Sequence, residues 1–272
     1  MLHAVAALLT LSADQGLTVV VLDPLAAELS CPCVKGYAQR DYKKLGEFLS
    51  RKIGRPVAVH FAETLAAALA KKTAGKVDLV IGKDSVVRAA ARESKVGIDH
   101  VAALTGKDGK ATMTGLFVVA AKDEAVTAGD LKGYRVIYGT ADADEKYSAA
   151  LAVLKGLGVL VDATKETCPG CSTAAGKLLE AHKAGDKVAA VISSYAQPLL
   201  EGCGTVKKGE LRVIGETEAV PFVSAFVNAK LAAPERAKLL EALLAVGADK
   251  DLCKAMETKA GFVAATPAKK KG

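Results

Sequence analysis

Short runs that are apolar at every position alternate along this chain with segments whose apolar residues recur at helical spacing. Residues 17–23 read LTVVVLD, residues 77–81 VDLVI and residues 188–192 VAAVI. Runs of this length and uniformity suit strands covered on both faces. Between the first two, residues 37–53 place Tyr42, Leu45, Leu49 and Ile53 on one helical face. Gly54-Arg55-Pro56 ends that helix and residues 57–61 supply the next strand. A helix over 64–73 follows, and after the 77–81 strand a helix over 83–95 opens at a cap, Asp84 or Ser85. This order predicts an α/β fold: a parallel sheet with right-handed crossovers and helices on both faces.

The pattern changes near Thr112. Residues 114–122 (TGLFVVAAK) predict a long strand that crosses to a second α/β unit. Strands over 134–139, 188–192 and 211–215 and helices over 144–157 and 172–184 build that unit. Residues 223–228 predict the return crossing, and helices over 234–246 and 250–259 follow. Segments 74–81 and 184–192 share one plan of glycine stop, buried strand and polar turn, which supports two similar halves. The expected division is lobe 1 over 17–112 and 222–265, lobe 2 over 113–221, and a basic tail over 266–272.

At 272 residues the chain buries a full core without disulfides or metals. It has no stretch of 18 or more apolar residues that would span a bilayer. Aromatic residues are 4% with no Trp, which removes the stacking platforms of single-strand nucleic-acid binders, so no nucleic-acid partner is expected. The net charge of +7 is spread without a basic stripe and suits an anionic ligand or a plain solvated surface equally. Residues 1–13 (MLHAVAALLTLSA) resemble a secretory signal segment with a weakly charged start, so residues 1–16 are read as a leader and the chain as exported, to the periplasm or beyond. The alternative for this segment is a buried helix or strand. Leu29 and Ser30 before Cys31 make a poor lipidation signal. Nucleophile elbow, Walker loop and dinucleotide fingerprint are all missing from the sequence, and no enzyme is expected.

The order of these elements resembles the phosphonate- or phosphite-type periplasmic binding proteins of ABC importers, a branch of the two-lobed type II periplasmic binding fold. The resemblance is carried by Tyr42-Lys43-Lys44-Leu45-Gly46-Glu47-Phe48-Leu49 with Gly54-Arg55-Pro56-Val57, by Gly75-Lys76-Val77-Asp78, by Asp130-Leu131-Lys132-Gly133-Tyr134-Arg135-Val136 and by Val220-Pro221-Phe222. It departs from the family where Ala189 replaces an Asp, and where residues 139–144 (GTADAD) replace a serine-rich ligand loop. The resemblance implies two lobes, each a mixed, mostly parallel sheet flanked by helices, joined by two crossing strands. It further implies a monomer that captures a small oxyanion and docks on a membrane permease. By the same resemblance Tyr37, Lys83, Ser85, Thr140, Ser172, Thr173 and Tyr195 are the expected ligand donors.

The residues themselves support that edge of the fold. Ligand crevices of open α/β sheets lie beyond the carboxyl ends of the strands, where helix N-termini offer free N–H groups to anions. Segments 23–37, 82–85, 139–148, 167–173 and 193–195 are expected there. For Ser85, Ser172 and Ser193, simple helix capping explains the residue type equally well. Asp142, Asp144 and Glu145 read as complements to a helix dipole.

Six cysteines admit three readings. Cys31, Cys33, Cys168 and Cys171 can be grouped as a soft-metal site for Cu, Zn or an Fe–S centre. Alternatively these four pair as disulfides between lobes, with Cys203 and Cys253 forming another. In the third reading, Cys168-Pro169-Gly170-Cys171 at a helix start acts in thiol exchange. His60, His100 and His182 show no ligand spacing.

Overall fold

The computed structural model describes residues 16–30, 38–160 and 165–265. The predicted leader and basic tail, Tyr37, Cys31 and Cys33 lie outside the described residues.

The first strand, β1 (Leu17–Leu22), is followed by α1 (Tyr42–Ile53), β2 (Val57–Phe61), α2 (Leu65–Lys71), β3 (Leu79–Lys83), α3 (Asp84–Glu93) and β4 (Ile98–Leu104). The Asp41 carboxylate accepts the Lys44 N–H at the start of α1, and Gly54, at φ 75°, ends it with its N–H on the Ser50 carbonyl. The expected helix over 37–53 therefore begins at its cap. β1 pairs in parallel with β2 and β3, which accounts for its unbroken apolar sequence: Leu17, Val19 and Val21 join one core beneath α1, and Val20 and Leu22 join another beneath α2 and α3.

A two-residue strand, β5 (Thr112–Met113), leads into β6 (Gly115–Ala120), β7 (Arg135–Tyr138), α4 (Ser148–Gly156), β8 (Glu166–Thr167), α5 (Cys171–Lys183), β9 (Val188–Ser193), α6 (Ala196–Gly202) and β10 (Leu211–Glu216). The chain then runs through β11 (Val220–Pro221), β12 (Val223–Asn228), α7 (Ala233–Leu244), α8 (Lys250–Ala255) and β13 (Phe262–Ala264). Among the described residues no helix is long and apolar enough to cross a membrane.

Two mixed sheets result. One has the order β13-β4-β12-β3-β1-β2 and the other β10-β6-β9-β7-β8. The expected crossings are displaced. Residues 115–120 do not cross; β6 lies inside the second sheet, antiparallel to β9 and β10. Likewise β12 lies inside the first sheet between β3 and β4. The links are the short β5 and β11, paired antiparallel through Met113 and Val220. The physical reason is burial. Phe117, Val118 and Val119 are sealed on both faces, which an exposed connection could not do. The helix predicted over 144–157 divides into a tight turn over residues 144–146 and α4, and this break re-aims Glu145 and Lys146.

Candidate functional site

The carboxyl edges of the two sheets meet, and charged residues gather where they do. Asp23, directly after β1, is fully buried. Its carboxylate accepts the Leu25 N–H at 2.9 Å, the Arg40 Nη1 at 2.8 Å and the Tyr42 hydroxyl at 2.6 Å. Arg40 lies 5.1 Å from the Phe222 ring, and Tyr195 stacks on Phe222 at 5.1 Å and 19°. Burial raises the Tyr195 hydroxyl well above its ordinary value, with Cys171 and Glu145 reinforcing the shift.

At the end of β3, Lys83 reaches out of the first sheet. Its Nζ donates to Glu145 Oε1 at 2.5 Å, and the Ser193 hydroxyl, at the end of β9, donates to the same oxygen at 2.6 Å. Glu145 is wholly buried, and its Oε2 has no hydrogen-bond partner. Burial pulls the Lys83 ammonium below its ordinary value, Glu145 opposes that shift, and Lys146 adds to it. The approach depends on small residues. A Cβ on Gly115 would stand 2.0 Å from the Glu145 carbonyl oxygen, and one on Gly139 would stand 2.6 Å from the Lys146 Cβ. Two residues beyond Lys83, the Ser85 hydroxyl donates to the Asp142 carbonyl at 2.6 Å and accepts the Asp144 N–H at 3.3 Å.

Beside this junction lies a cavity of about 330 Å³. Pro24, Leu25 and Ser30 line it from the β1–α1 connection, and Lys146, Gly170, Cys171, Ser172, Tyr195 and Cys203 from the second sheet's side. The first turn of the thirteen-residue α5 opens on it. The Cys171 sulfur accepts the Ser193 N–H at 3.4 Å and lies 3.9 Å from the Lys146 Nζ. A helix N-terminus, an ammonium and hydroxyls around one half-open cavity form an anion-receptive arrangement.

The structure brings Lys83, Ser85, Ser172 and Tyr195 to this region. Lys83 and Ser85 nevertheless spend their hydrogen bonds on the chain itself. Ser85 does not cap α3, which starts without a side-chain cap, nor does Ser193 cap a helix. Thr140 turns the chain after β7 through its carbonyl, and Thr173 is exposed; neither lines the cavity. Glu145 does not serve a helix dipole but answers Lys83. Glu145, Lys146, Arg40 and Phe222 are site residues that the sequence pattern does not mark. The glycines at 115 and 139 carry the one local signal for the first two.

The expected Cys203–Cys253 bond does not form, and Cys168 and Cys171 are not bonded to each other. Cys253 is buried in α8 with its thiol on the Val246 carbonyl, while Cys203 closes α6 and contacts Thr205. Among the described residues no group of three or more His, Cys, Asp or Glu side chains is placed to hold a metal ion.

Two mixed sheets flanked by helices and joined by a short ribbon define the two-lobed type II periplasmic binding fold. The chain belongs to the periplasmic substrate-binding proteins of ABC phosphonate transporters, whose family model matches residues 36–269. Solved structures agree in fold. The Xanthomonas citri protein XAC2383, solved bound to ATP, superposes with a TM-score of 0.68 at 15% identity over 92% of this chain and 91% of that one. A binding-protein component of an ABC phosphonate transporter (PA3383) from Pseudomonas aeruginosa gives 0.66 at 17% identity over 93% and 82%. PhnD1 from Prochlorococcus marinus, in complex with methylphosphonate, gives 0.65 at 14% identity over 92% and 93%. No curated protein matches the chain significantly.

Proposed function

We propose that the chain is an exported, monomeric receptor that captures a small oxyanion of the phosphonate, phosphite or phosphate class between its lobes and delivers it to an ABC permease. Lobe 1 comprises residues 17–112 and 222–265, lobe 2 residues 113–221, and the links at β5 and β11 act as the hinge. The observation that carries this reading is the cavity of about 330 Å³, onto which the first turn of α5 and the Lys146 ammonium both open. Ser172 and Tyr195 supply further donors there, and Cys171 and Leu25 complete the wall. Such a site favours a compact anion over a cation, because an ammonium and a helix N-terminus open on it and no Asp or Glu is among the described residues that line it. The family, and a methylphosphonate-bound structure of similar fold, support the ligand class.

Titration calorimetry with methylphosphonate, phosphite and phosphate tests this. One of these should bind at a single site, and Lys146→Met should weaken it by about tenfold or more, as expected for a lost charge-assisted hydrogen bond of about 1.5–3 kcal/mol. An unchanged affinity in Lys146→Met would move the ligand elsewhere, and no binding of any of the three would remove the oxyanion class.

A further inference from the structure

Where the lobes meet, Lys83 is already engaged. Lys83 Nζ and Ser193 Oγ, one from each sheet, both donate to Glu145 Oε1, at 2.5 and 2.6 Å. A negatively charged group therefore stands, wholly buried, at the junction where helix starts and strand ends converge. It is held through one oxygen only; the other is buried and unpartnered. The wall thus provides donors for an oxyanion's oxygen and little that is specific to a carboxylate. The next residue, Lys146, points instead to the Cys171 sulfur and the cavity. Consecutive residues thus face a filled anion position and an open one.

We infer that Glu145 is a tethered anion: it occupies the Lys83 position, competes there with free oxyanions, and closes the lobes in the absence of ligand. The identity of the competing ligand rests on the oxyanion reading above; the closure does not. An oxyanion reaches Lys83 and Ser193 only by displacing Glu145, so in wild type it is held at the open position beside Lys146 and gains the Lys83 contact only when Glu145 leaves. An internal competitor lowers apparent affinity by the fraction of molecules in which it is bound.

The test compares wild type, Glu145→Gln, Lys83→Met and the double variant. By calorimetry with methylphosphonate and phosphate, Glu145→Gln should bind about tenfold or more tightly. Lys83→Met alone should change affinity little, and in the Glu145→Gln background it should abolish the gain. By small-angle scattering without ligand, wild type should be compact and Glu145→Gln expanded. Unchanged or weaker binding by Glu145→Gln, in a protein whose wild type binds, overturns the competition. If neither protein binds an oxyanion, the ligand reading has failed, and scattering alone decides: equal radii overturn the closure, a larger radius in Glu145→Gln upholds it. Should Glu145→Gln not fold, Lys83→Met/Glu145→Leu replaces the pair by apolar groups and carries the scattering comparison.

Discussion

At the scale of single residues, two buried ion pairs stand within the same edge of the fold and act differently. Arg40 and Asp23 share one lobe, and the carboxylate is fully used: it accepts a guanidinium N–H, a phenol and a backbone N–H. Removing one partner of such a pair leaves an uncompensated buried charge, which costs about 3–5 kcal/mol. Asp23→Ala should therefore lose about that much in urea unfolding, and a loss under about 1 kcal/mol would mean that Arg40 finds water instead. Lys83 and Glu145 join different sheets, and one carboxylate oxygen goes unsatisfied. That asymmetry makes the second pair the one suited to opening. Lys83 is legible in the sequence, since a charge that ends an apolar run points into the crevice. Glu145 is not, because its partner lies 62 positions away and an acid near a helix start has an adequate local explanation.

At the scale of elements, the α/β alternation is readable wherever burial is complete. The strands at 17–22, 79–83 and 188–193 agree with their apolar runs to within a few residues. The elements that escape the sequence pattern share a cause. β4 carries Asp99 and His100 at its half-buried end, β5 and β11 have two residues each, and α6 follows a strand without a glycine or proline stop. None of these offers enough consecutive periodicity to stand out. The 115–120 run is apparent as a strand but its place is not, because an apolar strand reads the same whether it crosses between sheets or sits in one. Glycines separate packing demands that sequence pattern leaves equal. Gly115→Ala would drive a Cβ into the Glu145 backbone, so it should destabilise by about 1–3 kcal/mol or more and disturb the Lys83 contact. A methyl group at Gly176, in the middle of α5, would meet nothing within 4 Å, so Gly176→Ala should stabilise by about 0.5–1 kcal/mol. Thermal denaturation of the two variants side by side checks both signs.

At the scale of the whole molecule, the two sheets meet, among the described residues, through groups that include the β5–β11 ribbon, the Lys83–Glu145–Ser193 junction, the Ser85 hydrogen bonds to Asp142 and Asp144, and the Phe222–Tyr195 stack. A closed form held by buried charges should resist salt. Between about 0.1 M and 1 M ionic strength the screening length falls from about 10 Å to about 3 Å, yet buried pairs are little affected. The radius of gyration of unliganded wild type should stay constant across that range; swelling with salt would show that exposed charges hold the lobes together. The two-lobed plan is legible because element order is a property of the whole chain, and the family shares that order although the three solved structures compared above are at most 17% identical to it.

The position of β12 also governs how the chain comes into being. It slots between β3 and β4, yet it is synthesised only after the entire second sheet has been made. At about 5–20 residues per second, the nascent first sheet waits for roughly ten seconds with the edges of β3 and β4 unpaired. Open apolar edges recruit other chains. The growing polypeptide therefore has its greatest need of a holding chaperone while residues 105–222 emerge, and a ribosome that stalls within that interval releases a molecule whose first half is templated for aggregation.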